Sequence, residues 1–256
     1  MAVTRNLTRV LAVLLLSALA LAQALVDLTP IRAKLEQGDF ISAIPKLEAH
    51  LKVKPGDSEA HFLLSRAYYL AGGVVNLGRA ADHIKEALKA TAPHLEYYWQ
   101  QGLIQAVQGK FQLALSNLRV AATGESRLTT TRDFYRFSMD WGAVAWRSGD
   151  LRQALEAYRR AAKADGTQPF PGLNQGVIYL SLSEPERAEP ELTKAVVLFQ
   201  QNFPKHPAFS EAQYNRGRAL EALGRFEAAR AAYRAALTLN PNLRVAKDAL
   251  EALSSR

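Results

Sequence analysis

Apolar residues along most of this chain fall at helical spacing. In the stretch Arg244–Leu253, Val245, Ala249, Leu250 and Leu253 share one side of a helix. Upstream, small and bulky residues recur in a fixed order. Near the C-terminus the set reads Gly217, Gly224, Ala229, Tyr233, Ala236 and Pro241. The same offsets give Gly142, Gly149, Ala154, Tyr158 and Ala161, and again Gly102, Gly109, Ala114, Leu118 and Ala121. One alanine marks each unit: Ala43, Ala80, Ala114, Ala154, Ala188 and Ala229. The steps are 37, 34, 40, 34 and 41, a period of 34 with local additions. Such self-similarity predicts an all-α solenoid of helix pairs. Six units follow, over 24–57, 58–94, 95–128, 135–168, 169–202 and 210–243, with a capping helix over 244–253. The fold is expected to be one solenoid spanning 23–256, with linkers at 129–133 and 203–208.

Each recurring residue has a physical reason. Gly102, Gly142, Gly176 and Gly217 fall in the middle of a helix, where glycine costs ~1 kcal/mol against alanine. A repeated cost implies a repeated gain, which is close packing of helix on helix. Gly38, Gly72, Gly109, Gly149 and Gly224 fall where a left-handed C-cap is needed. Leu47, Ile84, Leu118, Tyr158 and Tyr233 are expected to fill the space between neighbouring units. Pro55 and Pro241 end second helices, whereas Pro45 and Pro190, early in second helices, should bend rather than break them. The second unit departs from the pattern, with Ser65 in the mid-helix glycine position and three extra residues in its Ala71–Gly78 turn.

These residues resemble the tetratricopeptide repeat family. The best unit runs from Gln213, through Gly217, Gly224, Ala229, Tyr233 and Ala236, to Pro241. The resemblance covers nearly the whole chain after the leader. It implies a right-handed solenoid of antiparallel helix pairs whose first helices line a concave groove, and family members bind peptides or helices there. Mapped by repeat position, the groove candidates are Phe62, Arg66, Tyr69, Trp99, Gln100, Leu103, Met139, Trp146, Arg147, Asn174, Tyr214, Asn215, Arg218 and Glu221. Aromatic and arginine side chains dominate, the types enriched at binding hot spots. The family's carboxylate clamp needs lysine and asparagine at set positions. Asn174 and Asn215 match in part but the lysines are missing, which argues against that ligand. The stretch Phe199–Tyr214 is similar to joints in bacterial envelope repeat proteins, although a lipobox cysteine and a coiled coil are both missing.

The N-terminal segment reads differently. Arg5 and Arg9 precede the apolar run Val10–Leu21, and Ala20-Leu21-Ala22 fits a small-x-small cleavage site, with Ala24 as an alternative. This is the pattern of a secretory signal peptide over 1–22. Its 12-residue run is short of the ~20 that a spanning helix needs. A periplasmic or secreted location is therefore expected. The chain carries 32 Lys and Arg against 24 Asp and Glu, a net +8. No run of five like charges occurs, so no nucleic-acid arm is indicated. With no cysteine, disulfides, thiolate metal sites and cysteine nucleophiles are excluded. The five histidines, His50, His61, His83, His94 and His206, show no metal-ligand spacing. The glycines Gly102 and Gly109 before Lys110 fail as a phosphate loop, because Phe111 stands where a hydroxyl must be. No cofactor, metal or catalytic set is expected. The reading is a non-enzymatic envelope scaffold holding a peptide or helix of another protein. The alternative is a module binding an envelope polymer or glycan, through the basic C-terminal units. Self-association through Arg244–Leu253 is a third expectation.

Overall fold

The computed structural model describes residues 27–124 and 130–254, so the leader over 1–22 lies outside the described residues. Those described form thirteen α-helices and no strand. They fall into two compact units that divide after Gly124.

The first unit holds α1 (Leu28–Glu36), α2 (Ala43–Val53), α3 (Ser58–Ala71), α4 (Val74–Ala87), α5 (Leu95–Val107) and α6 (Phe111–Ala122). The second holds α7 (Thr131–Arg147), α8 (Leu151–Ala164), α9 (Phe170–Ser181), α10 (Pro185–Asn202), α11 (Ala208–Ala222), α12 (Phe226–Leu239) and α13 (Arg244–Ser254). Within each unit, successive helices pack as pairs: α3 on α4, α5 on α6, α7 on α8, α9 on α10 and α11 on α12.

The mid-helix glycines make the crossings. A methyl placed on Gly217 would meet Tyr233 Cε1 at 2.4 Å, and one on Gly142 would meet Tyr158 Cε1 at 2.6 Å. Gly176 faces Leu192 and Gly102 faces Leu118 in the same way. The recurring bulky residue therefore sits on the glycine of its own pair. Tyr233 also packs with Leu253 of the next helix, so it serves the gap to the following element as well. At Gly102 the Ala114 carbonyl also comes within 3.1 Å of the methyl position. In the second repeat Ser65 uses that space for a bond, its buried hydroxyl donating to the equivalent carbonyl of Ala80 at 2.8 Å.

The expected glycines take positive φ, between 70° and 85° at Gly38, Gly72, Gly109, Gly149 and Gly224, although the ψ of −177° at Gly72 is not that of a left-handed helical cap. The fifth repeat has Ser183 at that position, and it takes φ 58° regardless. Repeat geometry there overrides the residue's own preference. Helix α10 runs on through Pro190.

At both joints the next helix starts earlier than the spacing suggested. Thr131–Asp133 form the first turn of α7. Thr130 caps it, accepting from the Asp133 N–H at 3.0 Å while its hydroxyl donates to Asp133 Oδ2 at 2.7 Å. Four residues of T-x-x-D chemistry thus turn a supposed linker into a helix start. At the other joint α11 begins at Ala208, whose N–H donates to His206 Nδ1 at 3.1 Å. The joint is packed. Phe199 is fully buried, with Phe170 edge-on at 5.3 Å, Phe209 stacked at 5.8 Å and His206 stacked at 6.0 Å.

The last helix is a cap. Leu253, Ala249 and Leu250 of α13 pack with Leu220, Ala229, Ala232 and Tyr233, and Arg230 Nη2 donates to the Leu253 carbonyl at 2.6 Å. Most of its apolar face is therefore used within the chain, with Val245 left 47% exposed.

Candidate protein-binding faces

In the second unit the first helices of the pairs are α7, α9 and α11, and they carry eight of the predicted residues, Glu221 among them. Met139, Trp146, Asn174, Tyr214 and Asn215 are half-buried, and Arg147 and Arg218 are exposed. Helix spacing explains why they share a face. Met139 and Trp146 lie three before and four after Gly142, so they flank the side that Gly142 turns to α8. Tyr214 lies three before Gly217, at the repeat position of Met139, and Arg218 follows it directly. Arg218 lies 5.9 Å over the Tyr214 ring and donates through Nη1 to Asn215 Oδ1 at 3.1 Å. Glu221, one turn on, accepts from the Tyr233 hydroxyl at 2.8 Å. Burial and then that bond raise the phenol's pKa, so it stays a neutral donor. The backbone beneath this face is fixed by the glycine crossings, while its polar side chains bond mainly to one another near water.

The first unit is different. Phe62 is only 3% exposed. It stacks on Tyr97 at 4.9 Å and lies beneath the guanidinium of Arg32 at 5.5 Å. It is a core residue, contrary to its assignment to the groove. Gln100 is likewise buried, with its Nε2 unpaired. Arg66, Tyr69, Trp99 and Leu103 are half-buried. Across this face Arg32 of α1 reaches Glu59 of α3 at 2.6 Å and Glu96 of α5 at 2.9 Å. Burial opposes the guanidinium charge, but the hydrogen bonds and charges of Glu96 and Glu59 outweigh it and raise the Arg32 pKa. Tyr97 adds a bond to Glu59 at 3.2 Å. Sequence reasoning missed this staple. Its signal was available: Glu59 and Glu96 occupy one repeat position, 37 residues apart, as Ser65 and Gly102 do.

A histidine pair was also missed. His61 Nδ1 lies 2.9 Å from His83 Nδ1, and His61 Nε2 lies 2.9 Å from the Pro55 carbonyl. A carbonyl can only accept, so His61 Nε2 carries a proton. Among the described residues no group of three or more His, Cys, Asp or Glu side chains could hold a metal ion. Two clefts sit at turns between pairs, about 220 Å³ beside His61 and Glu86 and about 300 Å³ beside His206 and Ser210. They occupy equivalent repeat positions, one in each unit, so they come with the repeat geometry.

The model of a family described as the tetratricopeptide repeat matches residues 31–74, 139–202 and 173–244. Among solved structures the chain is similar to YrrB, described as a TPR protein with an unusual peptide-binding site. The TM-score is 0.65 at 16% identity, over 80% of this chain and 97% of that one. It is also similar to PilF of Pseudomonas aeruginosa, with a TM-score of 0.66 at 16% identity over 86% and 93%. MamA gives 0.56 at 20% identity over 69% and 98%. At these identities the likeness is one of fold. No curated protein sequence matches the chain.

Proposed function

The chain belongs to the tetratricopeptide repeat family, and on that premise we propose that it is an exported scaffold whose second unit holds an extended peptide or a helix of another protein. Members of the family generally act in protein–protein interaction and are typically not enzymes. The finer reading rests on the face of α7, α9 and α11. One observation carries it: two of the three helices each present a half-buried aromatic and an exposed arginine, Trp146 with Arg147 and Tyr214 with Arg218, at different repeat positions. Such a face buries large area at low entropic cost and offers donors to backbone carbonyls. Asn174, between them on α9, adds an amide that can both donate and accept. The leader pattern at the N-terminus supports export, and with it a partner in the cell envelope. No cofactor enters this reading.

The test uses peptides selected from a random library on the purified chain. Their affinity is then measured against the triple variant Trp146→Ala, Tyr214→Ala, Arg218→Ala, with circular dichroism to check the fold. Truncated hot-spot residues typically cost over 2 kcal/mol, about thirtyfold in Kd. Selected peptides that bind a folded triple variant as tightly as the wild type would overturn the assignment.

A further inference from the structure

The turns within the pairs of the first unit carry a feature that peptide binding does not use. Between α3 and α4 the chain passes through Gly72 and Gly73, both at positive φ, and α4 then starts with two valines. Val74 is 89% exposed and Val75 71%. β-Branched residues lose side-chain freedom in a helix, and here no burial compensates. This is also the turn with three residues more than the repeat requires. The neighbouring turns of the same kind present Ile41, 76% exposed, and the pair Val107 and Leu113. Because α1, α3 and α5 are successive first helices packed in register, these turns lie along one edge of the unit.

Within the second and third turns themselves the charge is one-sided, although Glu48 of α2 shares Tyr68 with Arg79. No carboxylate occurs from Ala60 to Ala81 or from Tyr97 to Gly124, whereas Arg79 and Lys110 are exposed beside the second and third turns. Only the first turn has acids, Glu36 and Asp39, and Asp39 pairs with Lys34 at 3.6 Å. The corresponding turns of the second unit carry Asp150, Glu184 and Glu227 instead. Exposed aliphatic side chains on projecting turns, flanked by cations, suit shallow insertion among anionic lipid headgroups.

We propose that the edge formed by Ile41, Val74, Val75, Val107 and Leu113, with Arg79 and Lys110, docks the first unit on an anionic lipid surface. The inference does not rest on the peptide-binding reading.

The experiment is flotation of the full chain with vesicles of phosphatidylglycerol and phosphatidylcholine in equal parts, and with phosphatidylcholine alone. The wild type should float with the anionic vesicles and lose binding as salt is raised. The exposed double variant Val74→Asp, Val75→Asp should keep its melting curve and lose roughly tenfold or more in partitioning. Lys110→Gln should weaken binding by about fivefold, one charge near the surface. Tyr214→Ala with Arg218→Ala should leave flotation unchanged, which separates this proposal from the peptide reading. No flotation with anionic vesicles, equal flotation of the valine variant, or equal binding to phosphatidylcholine alone would overturn it. So would a wild-type dimer in sedimentation that the valine variant dissolves while vesicles stay unbound, since the edge would then belong to a second copy.

Discussion

The two units use one repeat for different ends. In the first, the face of α1, α3 and α5 is stapled by Arg32 between Glu59 and Glu96, and Phe62 is drawn into the core under that staple. In the second, on the equivalent face of α7, α9 and α11, Tyr214 is half-buried and Arg218 is exposed. The crossings differ as well. The second unit uses glycine against an aromatic ring or leucine, whereas the first uses both Ser65 with a hydrogen bond and Gly102. A repeat position therefore fixes geometry without fixing chemistry.

The largest expected effect probes the crossings. Gly217→Ala would put a methyl 2.4 Å from the Tyr233 ring, which Glu221 holds in place. Overpacking should cost ~1–3 kcal/mol, after any gain in helix propensity. Ser65→Ala at the same repeat position should cost about 1 kcal/mol, the worth of one buried bond. Urea midpoints of the two variants measure the difference. A smaller loss for Gly217→Ala would mean the two crossings are not built as described.

The staple comes next. Arg32→Ala leaves Glu59 and Glu96 facing each other and should cost on the order of 1 kcal/mol, discounted because all three side chains are about one-third exposed. The loss should shrink in high salt. A salt-independent loss would assign Arg32's role to its packing on Phe62.

The histidine pair gives a pH contrast. Burial, then the neighbouring His61, lower the pKa of His83 below its ordinary 6.5, although Asp82, Glu48 and Glu86 pull the other way. The unfolded chain therefore binds the extra proton first. Stability should be intact above about pH 6.5 and fall as pH drops through the lowered value. His83→Gln should flatten that fall between pH 7 and pH 5 in denaturant titrations. An unchanged slope would remove His83 from the account.

These contrasts show how far the sequence could be read. Helix pairs, glycine caps and the C-terminal cap were legible because backbone geometry demands the same residue each time. Ser183 shows the converse, since its left-handed backbone follows from repeat position against the residue's own preference. The helix start at Thr130 was missed because a cap signal lay inside a polar run that read as linker. Phe62 was misplaced because repeat position says which way a residue faces, not what lies above it. Arg32 belongs to another helix, 30 residues earlier in the chain. The smallest effect follows from Ser183. Ser183→Gly should stabilise the second unit by roughly 0.5 kcal/mol through relief of the left-handed strain, and a neutral or negative result in thermal melts would mean the strain is absorbed elsewhere.

The comparison stands or falls on where a peptide binds. For one library-selected peptide, Kd should be measured by fluorescence anisotropy against two double variants, Tyr214→Ala with Arg218→Ala and Arg66→Ala with Trp99→Ala. The account predicts a loss of about tenfold or more for the first pair and less than about threefold for the second. The reverse order would place the binding face on the first unit and contradict the central claim.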